Sequence, residues 1–425
     1  MANNRSKIST LTLLVYALPA IPLAALGLPL YVHLPAVYAA LLTPALVGLV
    51  LFSARSLDVV TDPVVGWLSD RLPSPHMRRR LTIVCGLPLL LVGIDQLMRP
   101  TAVSVAQLAI WTTLIYVGWT MVILPYMAWG AELARDYQER TRVTLWREGA
   151  IILGTVIAVV LPVAMNVGNN PRASLELLAT YLLWTLPPAL LLTCLFVPER
   201  PPSSIPKTRL LAGIIRCVKN RLAMRLLFAH LLNSFANALP ATLFFFYVGS
   251  VLGEPKRAGM LLLIYFCAAI IALPAWWVAC QHFAKRSVWA VSMVWAACVF
   301  SFALTLGQGD WIWFAWVCVF SGISLGADMA LPASIQADIV QHDGEVNHEQ
   351  RAGAWFGLWS MVTKLSLALA AGLALPMLQW SGFDTTSSQS SSGISVLIFL
   401  YAGAPVLLKL PAAWLVWKFP DLGAR

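Results

Sequence analysis

Runs of about twenty apolar residues recur along this chain from end to end, and a helix needs about that length to cross a bilayer. They lie at 10–32, 39–67, 81–98, 103–132, 145–167, 175–197, 223–250, 258–281, 287–306, 311–338, 353–377 and 395–417. Of the 425 residues, 59% are hydrophobic and only 11% charged. A soluble domain carries roughly 25% charged residues, and this chain has too little polar cover to face water on all sides. The expectation is an all-α membrane protein of twelve transmembrane helices. The first run, from Thr10 to Val32, is longer than a signal-peptide core and reads as the first span.

The net charge of +10 is carried by short loops between the runs. Arg5, Lys7, Arg71, Arg78, Arg79, Arg80, Arg135, Arg140, Arg200, Lys207, Lys285 and Arg286 fall on one side, and Arg99, Arg172, Lys256 and Arg257 on the other. The positive-inside rule then puts both termini in the cytoplasm of a bacterial-type inner membrane. No basic stripe with interleaved aromatics is present, so nucleic acid is not an expected partner. The seven cysteines lie mostly inside apolar runs without a CxxC pair, which argues against a disulfide framework or a thiolate metal site. The six histidines are read as falling mostly at helix ends or in loops, and no nucleophile or metal constellation of an enzyme stands out.

A linker rich in Pro, Lys and Arg at 198–222 divides the chain into two six-helix bundles, 1–197 and 223–425. Each bundle has the tetrapeptide ALPA in its first span, at 17–20 and at 238–241, which suggests a parallel duplication. Pro19, Pro22, Gly27 and Pro29 interrupt the first span, as in a kinked helix beside a cavity or an irregularly packed one.

An ionisable group in a span costs several kcal/mol on insertion scales and usually has a partner or a cavity. The second span reads SARSLDVVTDPVVGWLSDR. Asp58 and Asp62 are four apart, so they share a helix face, and Arg55 lies on the same side. Two carboxylates this close repel unless a cation or proton sits between them, and carboxylate oxygens suit hard cations. A coupling site for sodium, lithium or a proton follows, with a structural Arg–Asp network as the alternative. Asp70 and Arg71 end that span, and Glu132, Arg140, Asp338 and Arg351 lie at cytoplasmic ends, where they are expected to form a gating network or solvated loops. Arg147 opens the fifth span and could turn its fork of donors toward hydroxyls or an anionic headgroup. Asp328 lies inside the tenth span and Lys364 is isolated in the eleventh, with Asp58 and Asp62 as its candidate partners.

These segments resemble the glycoside–pentoside–hexuronide:cation symporters, the family of the bacterial melibiose carrier within the major facilitator superfamily. The second span (Arg55, Asp58, Asp62, Pro63, Gly66, Trp67) is the most specific match, joined by PYMAWGAEL, DYQERTR and FGLWSMVTKL. The resemblance implies two six-helix halves with a site between them, and a cation at Asp58 and Asp62 with Thr120 nearby. It also implies substrate-binding roles for Arg147 and Lys364. The family's sugar carriers grip hydroxyls with one aspartate on the first span and another on the fourth. Here Ala20 and Ile123 stand at those positions.

Two cargoes therefore stay open. One is a glycoside or sugar held by Arg147, Trp119, Tyr126, Trp129, Asn233 and Asn237. The other is a lysophospholipid or similar amphiphile, as in the animal sodium–lysophospholipid symporters that share the carboxylate motif. A non-transporting membrane sensor is the alternative of a different class. No cofactor beyond the coupling ion is expected, membrane lipids are the surroundings, and a monomer is the expected state.

Overall fold

The computed structural model describes residues 8–71, 77–100, 103–133, 137–199, 220–347, 352–383 and 391–419, and the side chains of some helix residues within these ranges also lie outside the description. The described residues form helices and turns with no strand. In chain order the helices are α1 (Thr10–Leu41), α2 (Pro44–Arg71), α3 (Arg78–Met98), α4 (Val105–Leu133), α5 (Tyr137–Ala164) and α6 (Pro171–Phe196). They continue with α7 (Arg221–Phe246, extended by a π turn Tyr247–Val251), α8 (Ala258–His282), α9 (Lys285–Ala303), α10 (Trp311–Asn347), α11 (Ala352–Trp380) and α12 (Ser391–Trp417).

Eleven of these are long and apolar enough to cross a membrane. The twelfth, α2, has 28 residues and opens with the apolar stretch Pro44–Leu57, beyond which several side chains lie outside the described residues. The outward faces carry large apolar side chains, with Trp184 78%, Ile271 77% and Trp380 80% exposed. So much apolar surface would aggregate in water and needs lipid against it.

Three boundaries differ from the sequence expectation. Helix α1 runs to Leu41 and is interrupted rather than ended by its prolines: it turns at Leu18–Pro19, restarts at Ala20 and widens into a π turn at Pro29–His33. Proline removes a helical N–H and pushes on the preceding turn, and neighbouring helices re-satisfy such breaks in a membrane. Helix α5 begins at Tyr137, so Arg147 lies in its third turn rather than at its start. Helix α10 has 37 residues and continues past Asp338 to Asn347.

The chain forms two compact units, one of 1–34, 53–167 and 171–204, the other of 35–52, 168–170 and 205–425. The 198–222 linker lies largely outside the described residues. Within the first unit, α3 and α4 approach closely at glycines. A Cβ on Gly118 would lie 2.8 Å from Leu90 Cα and one on Gly93 2.9 Å from Ile115 Cα, which lets the backbones of α3 and α4 meet. In the second unit, Ala45 N–H donates to Gln379 Oε1 at 2.8 Å, which ties the segment 35–52 to the end of α11.

Candidate functional site

Two faces meet between α2 and α4 in the first unit. On α2, Arg55 and Asp62 are seven residues apart and share a side; on α4, Tyr116 and Thr120 are four apart and do the same. The Thr120 hydroxyl donates to Asp62 Oδ1 at 2.9 Å. Arg55 Nε donates to the Tyr116 hydroxyl at 2.9 Å. The Arg55 guanidinium lies over two rings, 4.3 Å from the Tyr31 centroid and 4.4 Å from that of Tyr116. A desolvated cation over tyrosine faces gains up to about 2 kcal/mol from the ring quadrupoles. Arg55 is 5% exposed, so its charge is held inside the bundle by aromatic faces as well as by hydrogen bonds. Tyr31 reaches it from the π turn of α1, and such turns often mark functional sites.

The hydrogen bond places the Thr120 hydroxyl oxygen beside the Asp62 carboxylate. Hydroxyl and carboxylate oxygens at one point are the donor set a hard monovalent cation takes. Asp58 lies one turn before Asp62 on α2, but its side chain is outside the described residues, as are those of Asp70, Arg71, Glu132, Arg140, Asp338 and Arg351.

A second group joins α1, α4 and α5. Tyr126 donates its hydroxyl to the Tyr16 carbonyl at 2.8 Å, Tyr16 returns a longer bond to the Tyr126 carbonyl at 3.3 Å, and the rings stack at 4.9 Å. The Arg147 guanidinium lies beside the Tyr16 hydroxyl. It pairs with Glu148 at 2.7 Å, and its buried Nε has no hydrogen-bond partner among the described residues. Trp119 is half-buried. Trp129 is fully enclosed, with its indole N–H donated to the Pro198 carbonyl at 3.1 Å. Tyr126 is 1% exposed.

In the second unit, Asn233 and Asn237 both donate to Asp328, at 2.9 and 2.8 Å. Trp289 and Lys409, neither of which stood out in the sequence, complete the group around that carboxylate. Lys409 gave the same signal as Lys364, a lone lysine in an apolar span, and could have been found that way. His230 lies well inside α7 rather than at a helix end; it is 6% exposed, stacks on Trp359 at 3.9 Å and shares a 2.8 Å hydrogen bond with Thr363. Lys364 is half-buried on α11.

Comparison with known proteins bears on this arrangement. The family described as MFS/sugar transport protein matches residues 15–420. The chain is 23% identical over 385 residues to the Escherichia coli (strain K12) inner membrane symporter YicJ, covering 88% of this chain and 84% of that one. It is 22% identical over 467 residues to the Gallus gallus sodium-dependent lysophosphatidylcholine symporter 1, covering 98% and 88%. Among solved structures, the nucleoside transporter NupG superposes with a TM-score of 0.68 at 13% identity, over 97% of this chain and 100% of that one. The likeness to NupG speaks for the fold, and the family match spans nearly every helix. The chain belongs to the MFS/sugar transport protein family and is a multi-pass membrane transporter of the major facilitator superfamily, not an enzyme.

Proposed function

We propose that this protein is a cation-coupled symporter that uses sodium or a proton to accumulate a small organic solute by alternating access, with both termini in the cytoplasm of the inner membrane. The Thr120–Asp62 hydrogen bond carries this reading. It holds one carboxylate oxygen in place beside a hydroxyl oxygen inside a membrane helix. Asp58, Asp62 and Thr120 are the assigned cation ligands. Ion binding neutralises α2 and favours substrate binding, and by linkage the substrate tightens ion binding by the same factor. The sodium-dependent and symporter descriptions of the full-length relatives support coupling.

For the cargo, a glycoside or sugar fits the family description and the guanidinium fork of Arg147, which suits hydroxyls. An amphiphile such as a lysophospholipid is favoured by a different observation. Ala20 and Ile123 are apolar where sugar carriers hold carboxylates, and a relative matching 98% of the chain is named for lysophosphatidylcholine. Arg147 serves either cargo, since a guanidinium also takes a phosphate. Lys364 is assigned as a further substrate-binding residue.

The test is uptake into proteoliposomes under a sodium or a proton gradient. Asp62→Asn should abolish uphill accumulation while leaving insertion and the melting temperature of the ion-free protein close to those of the parent. Full accumulation by Asp62→Asn and by Asp58→Asn would remove the cation-site assignment.

A further inference from the structure

A second group of charges lies deep in the unit that contains α7–α12. Asp328 on α10 and Lys409 on α12 form an ion pair at 3.2 Å, with side chains 6% and 1% exposed. The carboxylate is saturated. Oδ1 accepts from Asn233 Nδ2 at 2.9 Å and Trp289 Nε1 at 2.8 Å, and Oδ2 accepts from Asn237 Nδ2 at 2.8 Å and the Lys409 ammonium. That accounts for all four lone-pair sites of an ionised carboxylate. Asn233 is used at both ends, because its Oδ1 accepts from Lys409 Nζ at 2.8 Å. Four helices, α7, α9, α10 and α12, contribute to this network.

A buried ion pair is weak evidence for stability, since apolar side chains of the same volume usually do as well. The arrangement of the oxygens points to another role. One carboxylate oxygen and one amide oxygen, from α10 and α7, converge on a single point, and that point is filled by a positive charge. Carboxylate and amide oxygens are ligands for hard cations. The charge arrives on a flexible four-carbon stem from a third helix.

We infer that Asp328 and Asn233 form a monovalent-cation site in which the ammonium of Lys409 is the resident cation. The carboxylate of this unit is thereby neutralised without an ion from solution. The cycle then draws exchangeable cations only at the carboxylates of α2. This consequence rests on the symporter reading given above, whereas the site itself does not.

The experiment uses the full-length protein in detergent with methylammonium chloride as the probe, at constant ionic strength. Lys409→Ala removes both the ammonium and its stem. Its melting temperature should rise by about 3 °C at a methylammonium concentration near 100-fold above Kd. The parent protein and Asp328→Asn/Lys409→Ala should not respond. A folded Lys409→Ala that ignores methylammonium, or an equal rise in the double variant, would overturn the inference. Lys409→Met and Asp328→Asn/Lys409→Met give a second measurement. The double variant should melt higher, because it leaves no bare carboxylate; a double variant no more stable than the single one counts against the site. A sodium-dependent shift lost in Asp62→Asn reports on α2 alone, so either assignment can fail without the other.

Discussion

Tyr16 shows how much one residue's geometry depends on what its neighbours lack. Its ring stacks on Tyr126 and its hydroxyl lies between a carbonyl and the Arg147 guanidinium. That position exists because residue 130 has no side chain, since a Cβ there would overlap the Tyr16 hydroxyl. Gly130→Ala gains up to about 1 kcal/mol of helix propensity, but overpacking a filled site costs about 1–3 kcal/mol. The variant should therefore melt lower than the parent. Tyr16→Phe in the Gly130→Ala background should recover part of the loss, because it removes the atom in closest conflict. Differential scanning fluorimetry of the four combinations checks this. The pair of tyrosines also bears on the candidate site, because it fixes α1 to α4 beside Arg147.

Elements in this protein meet by backbone contact at chosen points. On α5, Gly154 faces α1, where an added Cβ would overlap the Ile21 carbonyl, a backbone atom that no rotamer change can move. On the same helix, Gly149 has nothing within 4 Å of its added Cβ. Gly154→Ala should destabilise by about 1–3 kcal/mol and reduce uptake, because α5 carries Arg147 and must shift away from α1. Gly149→Ala should be neutral or slightly stabilising. Equal melting temperatures for the two variants would mean that the α1–α5 approach is looser than the structure has it. Helix α2 follows a different rule. It carries a buried charge, and Arg55 is accommodated by tyrosine faces supplied by α1 and α4.

For the molecule as a whole, the bilayer acts as solvent and the ligand as the remaining source of specificity. A ligand that binds only the folded state raises the melting temperature, by about 2.7 kcal/mol of added stability at 100-fold above Kd. A panel of glycosides and lysophospholipids, with and without sodium, separates the two cargo readings. A sodium-dependent shift with a sugar, lost in Arg147→Ala, supports the glycoside reading. A shift confined to lysophospholipids supports the amphiphile reading. Arg147→Lys should restore little of either, since a lysine offers a point charge in place of a planar fork.

The sequence by itself determined the number of spans, the carboxylate face of α2 and the family. Each of these is a local pattern: twenty-residue apolar runs, a four-residue spacing, a motif in order along the chain. Lys409 was legible too, by the rule that singled out Lys364. What it did not contain was partnership across helices. Tyr31 and Tyr116 are ordinary aromatic residues in apolar runs, and only the tertiary structure sets them on Arg55. Asn233 and Asn237 were expected to hold substrate, and only the tertiary structure shows that both amides donate to Asp328. A buried polar group must find a partner in a membrane, but a periodic pattern says only which face it occupies. Which neighbour meets that face is decided by where glycines let backbones approach and where prolines turn them, and those are properties of the packed bundle.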